Sequence, residues 1–257
     1  MAERDAMRAL LEGVERCECG RSHACAIREA VIGHGAIGEV GRLLGEHRHI
    51  VLVCDGNTWR AAGERVAERL QAEGFDAKIC RFEGEGALIP DEAAIARIEE
   101  TLTGETQAIV GVGSGVINDL CKYVGGAHEL PYMIVATAPS MDGFASVGAA
   151  MILGGMKVTV DRRVPAWIVG DTAVLRDAPL DMIRAGIGDI LGKYSCLNDW
   201  KISHAVNGEY FCRRVYELVM DEVRACRDNI DLAMARDEQA VGALMRSLVT
   251  VGVCMAY

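Results

Sequence analysis

One carboxylate of this chain stands in a stretch that otherwise predicts the buried side of a helix. Apolar side chains recur there at helical spacing: Ile183, Ile187, Ile190, Leu191 and Tyr194. Asp189 falls among them, where a carboxylate costs several kcal/mol unless it is paired or bound to a metal ion. Asp189 is therefore a candidate site residue. Two structural explanations stay open, a cap on a neighbouring helix and an ion pair with Arg184 or Lys193.

A glycine-rich segment, Gly111–Asp119, follows an apolar run and opens a predicted helix. Backbone N–H groups at a helix N-terminus, freed by glycine, form a site for phosphate or pyrophosphate. The spacing differs from the G-x-G-x-x-G fingerprint, and the absence of a P-loop lysine disfavours an ATPase. Tight packing between strand and helix is the structural alternative for these glycines.

A second polar segment, Asp55-Gly56-Asn57-Thr58, follows another apolar run. Asp55 or Asn57 suits a hydrogen bond to ribose or adenine, because ligands bind at the carboxyl ends of strands in open parallel sheets. Capping of the next helix by Asn57 or Thr58 is the alternative.

A third segment, Thr137–Ser146, follows the next predicted strand. Its hydroxyl groups and its one acid, Asp142, suit contacts with a cofactor and a substrate. A helix-capping role for Asp142 or Ser140 is the alternative. Together the three segments predict a dinucleotide laid across the strand ends.

These segments need a parallel sheet to bring them together. Up to residue 136, strand-like runs alternate with helical patterns, which predicts a Rossmann-like α/β fold with helices on both faces. The predicted strands are 26–32, 49–54, 77–82, 108–112, 132–136 and 166–169. The predicted helices are 36–45, 59–72, 91–102 and 116–124.

The pattern changes in the remaining part of the chain. Residues 149–153 and 157–160, separated by Gly154-Gly155, predict a β-hairpin. From Thr172 onward only helical patterns occur, over 180–205, 209–236 and 238–257. We therefore expect an α/β dinucleotide-binding domain at residues 1–170 and an all-helical metal and substrate domain at 171–257.

The last predicted helix has no stop signal. Leu244–Tyr257 is apolar and has neither a glycine C-cap nor trailing polar residues. Its apolar side chains require partners beyond those that the visible helices offer. We therefore expect the helical domain to be truncated here, and a blunt or disordered terminus is the alternative.

Composition excludes several classes of partner. The chain has 257 residues, is 51% hydrophobic and carries a formal net charge of −10. It can bury a large core but offers no basic surface for nucleic acid or anionic membrane. We expect no membrane insertion, because no apolar run approaches spanning length and the N-terminus is charged. A soluble, cytoplasmic protein is predicted.

Ten cysteines are spread through the chain. Most lie in apolar runs, where a reduced thiol acts as a small hydrophobic group; examples are Cys54, Cys80, Cys121, Cys196 and Cys254. The exception is Cys17-Glu18-Cys19-Gly20, with His23 and Cys25 close behind. A zinc knuckle is one interpretation, but the spacing is tight and no second cysteine pair follows. A surface turn is therefore favoured.

At Gly111–Asp119, Thr137–Ser146 and Ala185–Lys193 the sequence resembles the sn-glycerol-1-phosphate dehydrogenases. These belong to the superfamily of iron-containing alcohol dehydrogenases, glycerol dehydrogenase and dehydroquinate synthase. The resemblance covers nearly the whole chain, and Thr-Ala-Pro-Ser-x-Asp-Gly-Phe-x-Ser is specific for the glycerol-1-phosphate branch. It implies hydride exchange between NAD or NADP and the pair dihydroxyacetone phosphate and sn-glycerol 1-phosphate.

The resemblance also implies residue roles. Contacts with NAD or NADP are implied for Asn57, Gly113, Ser114, Gly115, Val116, Ile117, Asn118, Asp119, Thr137, Ser140 and Ser146. Asp142 is implied to contact the substrate. Asp189 is implied to contact the substrate and to be the first ligand of a catalytic divalent metal, with zinc as the default and nickel or iron as alternatives.

Two histidines complete the family's metal site farther along its helical domain. Here no histidine follows His204, which does not fall at a family ligand position and is a weak alternative ligand. A dinucleotide-binding fragment without turnover and a glycerol dehydrogenase-like enzyme therefore stay open as alternatives. The resemblance also implies a homo-oligomer, a dimer or larger. Asp55 at a strand end favours NAD over NADP, because it would repel a 2′-phosphate.

Overall fold

Parallel strands connected by helices dominate the first two-thirds of the computed structural model, which describes residues 2–84 and 86–257. The strands in that part of the chain are β1 (Glu29–Gly33), β2 (His49–Asp55), β3 (Asp76–Phe82), β4 (Ala108–Gly113), β5 (Tyr132–Ala136), β6 (Gly148–Leu153), β7 (Met156–Asp161) and β8 (Trp167–Asp171). Six of them form one parallel sheet in the order β1-β8-β5-β4-β2-β3. This sheet confirms the expected Rossmann-like fold.

Helices connect the strands and make up the rest of the described chain. The α-helices are α1 (Ala2–Glu12), α2 (Val40–Leu44), α3 (Gly56–Thr58), α4 (Glu64–Ala72), α5 (Glu92–Glu99), α6 (Gly115–Ala127), α7 (Thr172–Leu175), α8 (Leu180–Asn207), α9 (Arg213–Asp228), α10 (Ile230–Met234) and α11 (Glu238–Ala256). Short 3₁₀ helices occupy Ala36–Glu39 and Asp142–Phe144, and a π-helical turn at Trp59–Gly63 joins α3 to α4. The charged helix α1, which packs on β1 and α11, was not predicted from the sequence.

Strand burial follows from position in the sheet. Every residue of β4, β5 and β8 is buried, and such strands are continuous apolar runs because helices cover both of their faces. The edge strand β3 has exposed and half-buried positions along most of its length. The central strands were therefore the easiest elements to predict.

The strand order reverses between β2 and β4. From β2 the chain moves outward to β3 and then returns to β4 on the other side of β2. In open α/β sheets such a switch point leaves a crevice at the carboxyl ends of the two strands, and ligands bind there. The segments that follow β2 and β4 therefore border the expected ligand crevice.

The predicted hairpin is present as β6 and β7. They pair antiparallel, with Leu153 opposite Met156. Gly154 and Gly155 have φ values of 59° and 75°, the conformation that a two-residue hairpin turn requires.

Helix α11 is the most deeply buried of the C-terminal helices. It packs against α7, α8, α9, α1 and the 3₁₀ turn Asp142–Phe144, and nearly all of Ala240–Cys254 is buried. The expectation that its apolar side chains lack partners within the chain was wrong. By length and composition this helix could also cross a membrane, although 72% of its most apolar stretch is buried inside the molecule. The statement that no apolar run approaches spanning length was therefore wrong as well.

Two smaller expectations about side chains were also wrong. Tyr194, which was counted with the buried face of α8, is 54% exposed. Cys196 is exposed rather than buried in an apolar run.

The division at residue 170 falls within β8, close to its end, and stays a proposal.

Candidate functional site

The three segments singled out in the sequence lie side by side at the carboxyl edge of the sheet. They follow β2, β4 and β5, and the pairs β2–β4 and β4–β5 are hydrogen-bonded neighbours. The backbone N–H of Thr137 donates to the carbonyl of Gly113, 3.0 Å away, which ties the second and third segments together. The fold therefore brings them to one edge of the sheet, as predicted.

The N-terminus of α6 lies at the centre of this edge. Its N-cap residue, Ser114, makes no side-chain capping hydrogen bond; its hydroxyl oxygen lies 2.5 Å from that of Ser140. The first-turn N–H groups of this 13-residue helix, at Gly115 and Val116, thus have no side-chain cap. Uncapped N–H groups and the positive end of the helix dipole form an anion site.

Gly113 lets strand and helix meet closely at this point. A Cβ atom on Gly113 would lie 2.6 Å from the Cβ atom of Ile117 in the first turn of α6. Because real Cβ contacts are never this short, the glycine is needed for packing. Gly113 therefore has the structural role considered in the sequence analysis, close packing of strand and helix, and it also adjoins the anion site.

The segment after β2 is built around a capping box. Asp55 is the N-cap of α3 and accepts hydrogen bonds from the N–H groups of Asn57 and Thr58, both at 2.8 Å. The N-cap is thus Asp55 rather than Asn57 or Thr58, and Thr58 completes the capping box by accepting the backbone N–H of Asp55 at 2.9 Å. Asn57 is exposed, and its Oδ1 accepts a hydrogen bond from Arg60. Asp55 and Asn57 line an open cleft of about 540 Å³ at the ends of β2 and β3.

The remaining predicted cofactor contacts have different degrees of exposure. Val116 is half-buried, Ile117 and Thr137 are buried, and Ser146 is half-buried with its hydroxyl 3.4 Å from the carbonyl of Gly143. The structure thus places Ser146 against its own loop.

Two buried side chains of α6 support the segment after β5 from below. The Nδ2 group of Asn118 donates to the carbonyl of Gly143 at 3.1 Å. The Nζ group of Lys122 donates to the carbonyls of Gly143 and Gly148, each at 2.9 Å. Both side chains are fully buried. Lys122 was missed in the sequence, although a lysine within an apolar helical run is a signal that could have revealed it.

Burial also shifts the protonation of the acid beside them. It raises the pKa of Asp119 to about 6, against the opposing charge of Lys122. Burial lowers the pKa of Lys122 to about 8, and the charges of Asp119 and Asp142 oppose this shift. The opposite charges of Asp119 and Lys122 thus reduce the free-energy cost of burying each group in its charged form.

Asp142, Lys193 and Asp189 form one charged cluster between this loop and α8. The Nζ atom of Lys193 lies 2.5 Å from Oδ2 of Asp142 and 3.4 Å from Oδ1 of Asp189. The other carboxylate oxygen of Asp189 accepts the backbone N–H of Asp142 at 2.7 Å. The side chains are 13%, 15% and 30% exposed for Asp142, Lys193 and Asp189. The sequence had named each of these acids and had offered Lys193 only as a pairing partner.

Both structural explanations that were left open for Asp189 are present in the structure. Its carboxylate accepts the backbone N–H of Asp142, the first residue of the 3₁₀ turn Asp142–Phe144, and it lies next to Lys193. Arg184 pairs instead with Asp181. Burial raises the pKa of Asp142, and the hydrogen bond and charge of Lys193 oppose this shift. Burial alone would lower the pKa of Lys193, but the hydrogen bond and charges of the two acids outweigh it and raise the pKa.

Two glycines let helices approach the loop that carries Asp142. A Cβ atom on Gly186 of α8 would lie 1.9 Å from the carbonyl oxygen of Pro139. A Cβ atom on Gly252 of α11 would lie 2.4 Å from the carbonyl oxygen of Asp142. The loop is therefore held between two helices whose spacing only glycine permits.

The donors around Asp189 do not by themselves make a metal site. One of its oxygens accepts a backbone N–H and the other lies next to the Lys193 ammonium group. Within residues 2–84 and 86–257, the one cluster of three or more potential metal donors lies elsewhere and does not include Asp189. His204, the weak alternative ligand, bonds the carbonyl of Glu209 and stacks on Phe211 at the end of α8.

Comparison with known proteins agrees with the geometry. The family described as iron-containing alcohol dehydrogenase matches residues 31–179, more than half of the chain. A glycerol-1-phosphate dehydrogenase (NAD(P)+) from Halalkalibacterium halodurans is 34% identical over 93% of this chain and 61% of its own length. The protein of the same description from Bacillus subtilis strain 168 is 36% identical over 81% of this chain and 54% of its own length. The chain thus spans about 60% or less of these relatives.

Solved structures share the fold. The crystal structure of glycerol dehydrogenase from Schizosaccharomyces pombe matches 88% of this chain and 60% of its own, with a TM-score of 0.72 and 20% identity. That of a probable glycerol dehydrogenase from Sinorhizobium meliloti 1021 matches 89% and 65%, with a TM-score of 0.73 and 19% identity. These structures confirm the fold, and the family match and the sequence relatives confirm the resemblance stated from the sequence.

Proposed function

Because the chain belongs to the iron-containing alcohol dehydrogenase family, we propose that it is an NAD(P)-dependent oxidoreductase acting on a secondary alcohol and its ketone. The proposed substrate pair is sn-glycerol 1-phosphate and dihydroxyacetone phosphate. The names of the relatives in Halalkalibacterium halodurans and Bacillus subtilis support this pair. The observation that carries the proposal is the meeting of an uncapped helix N-terminus and the Asp142–Lys193–Asp189 cluster at one sheet edge.

The dinucleotide is proposed to lie across the ends of β2, β4 and β5. Its pyrophosphate would bind the first-turn N–H groups of α6 at Gly115 and Val116. Ser114 and Ser140 would supply hydroxyl groups beside it, since their oxygens already lie together at 2.5 Å. Asn57, in the open cleft at the end of β2, would contact the adenosine half. The acid Asp55 supports a preference for NAD over NADP.

The substrate end of the site is proposed to lie at the charged cluster. Lys193 neutralises one of the two carboxylates, so that Asp142 and Asp189 lie close together without full repulsion. The cluster would orient the substrate hydroxyl groups by hydrogen bonds from Lys193 and to the two acids. We also propose Asp189 as this chain's ligand for a divalent metal, with zinc as the default and nickel or iron as alternatives.

The direct test is the reduction of dihydroxyacetone phosphate with NADH or NADPH. The loss of absorbance of the reduced nicotinamide monitors the reaction. We expect turnover with the phosphorylated ketone and a lower kcat/KM with dihydroxyacetone. In the reverse direction we expect oxidation of sn-glycerol 1-phosphate and not of sn-glycerol 3-phosphate. Preference for unphosphorylated substrates would contradict the assignment and favour a glycerol dehydrogenase-like activity.

A second candidate is a protein that binds the dinucleotide without turnover. It is favoured by one observation, that the donors around Asp189 do not complete a metal site within the described residues. NADH binding without oxidation of either substrate by these 257 residues, with zinc, nickel or iron added, would support it. Turnover by the same 257 residues would exclude it.

The remaining proposals concern the setting of the protein. A cytoplasmic location is proposed from the composition, and a homo-oligomer, a dimer or larger, from the resemblance. The acidic net charge of −10 supports the absence of nucleic-acid partners.

A further inference from the structure

Four potential metal ligands from opposite ends of the chain meet beside the C-terminus of α8. Cys17, Cys19 and His23 come from the segment between α1 and β1, and Cys212 directly precedes α9. Their ligand atoms all lie within 4.8 Å of one another. The knuckle considered in the sequence analysis thus gains its fourth ligand from Cys212 rather than from Cys25. The favoured interpretation, a surface turn, is also present: the N–H of Gly20 donates to the carbonyl of Cys17 at 2.9 Å, and Glu18 and Gly20 are exposed.

Three of the six distances between the ligand atoms match the edges of a zinc tetrahedron, and the other three are within 4.8 Å. With Zn–S distances of about 2.3 Å and a Zn–N distance of about 2.0–2.1 Å, two sulfurs lie about 3.8 Å apart and a sulfur and a nitrogen about 3.6 Å apart. The Sγ atoms of Cys17 and Cys212 are 3.7 Å apart. The Nε2 atom of His23 lies 3.4 Å from the Sγ atom of Cys19 and 3.5 Å from that of Cys212.

The ligands are held rigidly. His23 is 2% exposed and Cys212 is fully buried. Reciprocal backbone hydrogen bonds of 2.8 Å between Val14 and His23 fix the segment. Gly20, with φ at 85°, closes the tight turn between the cysteines and the histidine, where other residues would be strained.

Groups around the ligands also favour a charged sulfur site. The hydroxyl of Tyr210 lies 3.2 Å from the Sγ atom of Cys19, and the guanidinium of Arg21 lies 3.7 Å from the centre of the Tyr210 ring. Outer groups of this kind orient metal ligands and offset the negative charge of thiolates. Three thiolates and one imidazole select zinc over magnesium or calcium, which prefer oxygen ligands.

We propose that Cys17, Cys19, His23 and Cys212 bind a structural zinc ion that ties the N-terminal segment to the start of α9. All four tetrahedral positions are filled by the protein, which is the arrangement of structural rather than catalytic zinc sites. This site is separate from Asp189 and does not depend on the proposed reaction.

Metal analysis of the 257-residue protein, purified under reducing conditions without chelator, tests the site. We expect about one thiol-bound zinc ion per chain, which is released when a mercurial blocks the thiols and is detected with a chromogenic zinc indicator; this is the zinc that the variants below test. Cobalt substituted for zinc should show tetrahedral d–d bands and a thiolate-to-cobalt charge-transfer band. Both measurements use the unaltered protein, so they stand even if a variant fails to fold.

Variants separate this site from other sources of zinc. Cys212→Ser is expected to lose the zinc and to have a lower Tm. Cys196→Ser, at an exposed cysteine, is expected to keep the zinc and to have an unchanged Tm. Asp189→Ala is also expected to retain the zinc, which makes failure here independent of the proposed function. Absence of zinc and of a cobalt spectrum, a Cys17–Cys212 disulfide in the freshly reduced protein, or retention of zinc by Cys212→Ser would overturn the proposal.

Discussion

At the scale of single residues, the charged cluster depends on one lysine shared between two acids. Lys193 bonds Asp142 closely and Asp189 more loosely, and all three side chains are largely shielded from water. Breaking a shielded ion pair by removing one partner leaves an uncompensated charge, which costs far more than losing a surface pair. The stability of the loop at Asp142 should therefore depend on Lys193.

The variant Lys193→Met tests this dependence. It keeps the length of the side chain but leaves two neighbouring carboxylates without a cation, so we expect the free energy of unfolding to fall by about 1–3 kcal/mol. Arg184→Met is the matched control on the same helix, because Arg184 pairs with Asp181 while both side chains are largely exposed. Its effect should be below about 0.5 kcal/mol in urea unfolding. Equal effects of the two variants would contradict the role of Lys193.

Asp119 makes the stability of the protein depend on pH. Its pKa is raised from 3.8 to about 6 by burial, so the folded state holds the proton more tightly than the unfolded state. The resulting stabilisation is fully present below about pH 4 and is lost as pH rises through about 6. At pH 7 Asp119 is ionised, and its buried charge lowers the free energy of unfolding.

The variant Asp119→Asn removes that cost. We expect it to be more stable than the unaltered protein by about 1–2 kcal/mol at pH 7, with the difference vanishing near pH 4. Asp228→Asn, at an exposed acid on α9, is the control and should change stability by less than about 0.5 kcal/mol at either pH. A pH-independent difference for Asp119→Asn would refute the account.

At the scale of elements, the position of the loop between α8 and α11 rests on close approach at two glycines. Gly186 faces the carbonyl of Pro139 and Gly252 faces that of Asp142. Each contact is with backbone, so neither can be relieved by turning a side chain. Helix propensity alone would favour alanine at both positions.

The pair Gly186→Ala and Gly188→Ala separates close approach from propensity. Gly186→Ala should lower the free energy of unfolding by about 2 kcal/mol or more, because its methyl group would overlap the Pro139 carbonyl. Gly188→Ala, two residues away on α8 and with no neighbour within 4 Å, should raise it by about 0.5–1 kcal/mol. Thermal or urea unfolding measures both. Stabilisation by both alanines would show that the helix does not press on the loop.

Most elements could be predicted from the sequence because they obey local rules. The central strands are uninterrupted apolar runs, and Gly154-Gly155 marks the hairpin turn. Helix α1 was missed although it is amphipathic: the buried residues Met7 and Leu11 lie one turn apart, and the helix packs on α11. Boundaries at helix ends, such as the break after α9, depend on packing that the local pattern does not contain.

At the scale of the whole molecule, the contacts that matter most join distant parts of the chain. Asp142 and Asp189 were both found in the sequence, but their joint contact with Lys193 depends on how α8 crosses the loop. Cys212 lies 195 residues from Cys17, and no spacing rule connects them. Lys122 could have been singled out as a lysine within an apolar helical run, but its partners could not, because two backbone carbonyls leave no pattern in a sequence.

The contacts of α11 within the fold explain why this last helix is apolar. Helix α11 contacts β1, the 3₁₀ turn Asp142–Phe144 and the helices α8, α9 and α10. Its apolar side chains therefore belong to the core that these elements share. The chain covers about 60% of the length of the first relatives it matches, so the activity of the whole enzyme stays a proposal.

The central claim is that a nicotinamide dinucleotide binds at the N-terminus of α6, and calorimetric titration of NADH tests it most directly. We compare the unaltered protein with Gly115→Asp, whose added charge suits the helix dipole but repels a pyrophosphate, and with Gly104→Asp, which adds the same charge where nothing lies within 4 Å. We expect the unaltered protein and Gly104→Asp to bind NADH alike, and Gly115→Asp to bind at least about tenfold more weakly, a loss of about 1.4 kcal/mol. Equal affinity of all three folded proteins, or no binding of NADH or NADPH by the unaltered protein, would contradict the account.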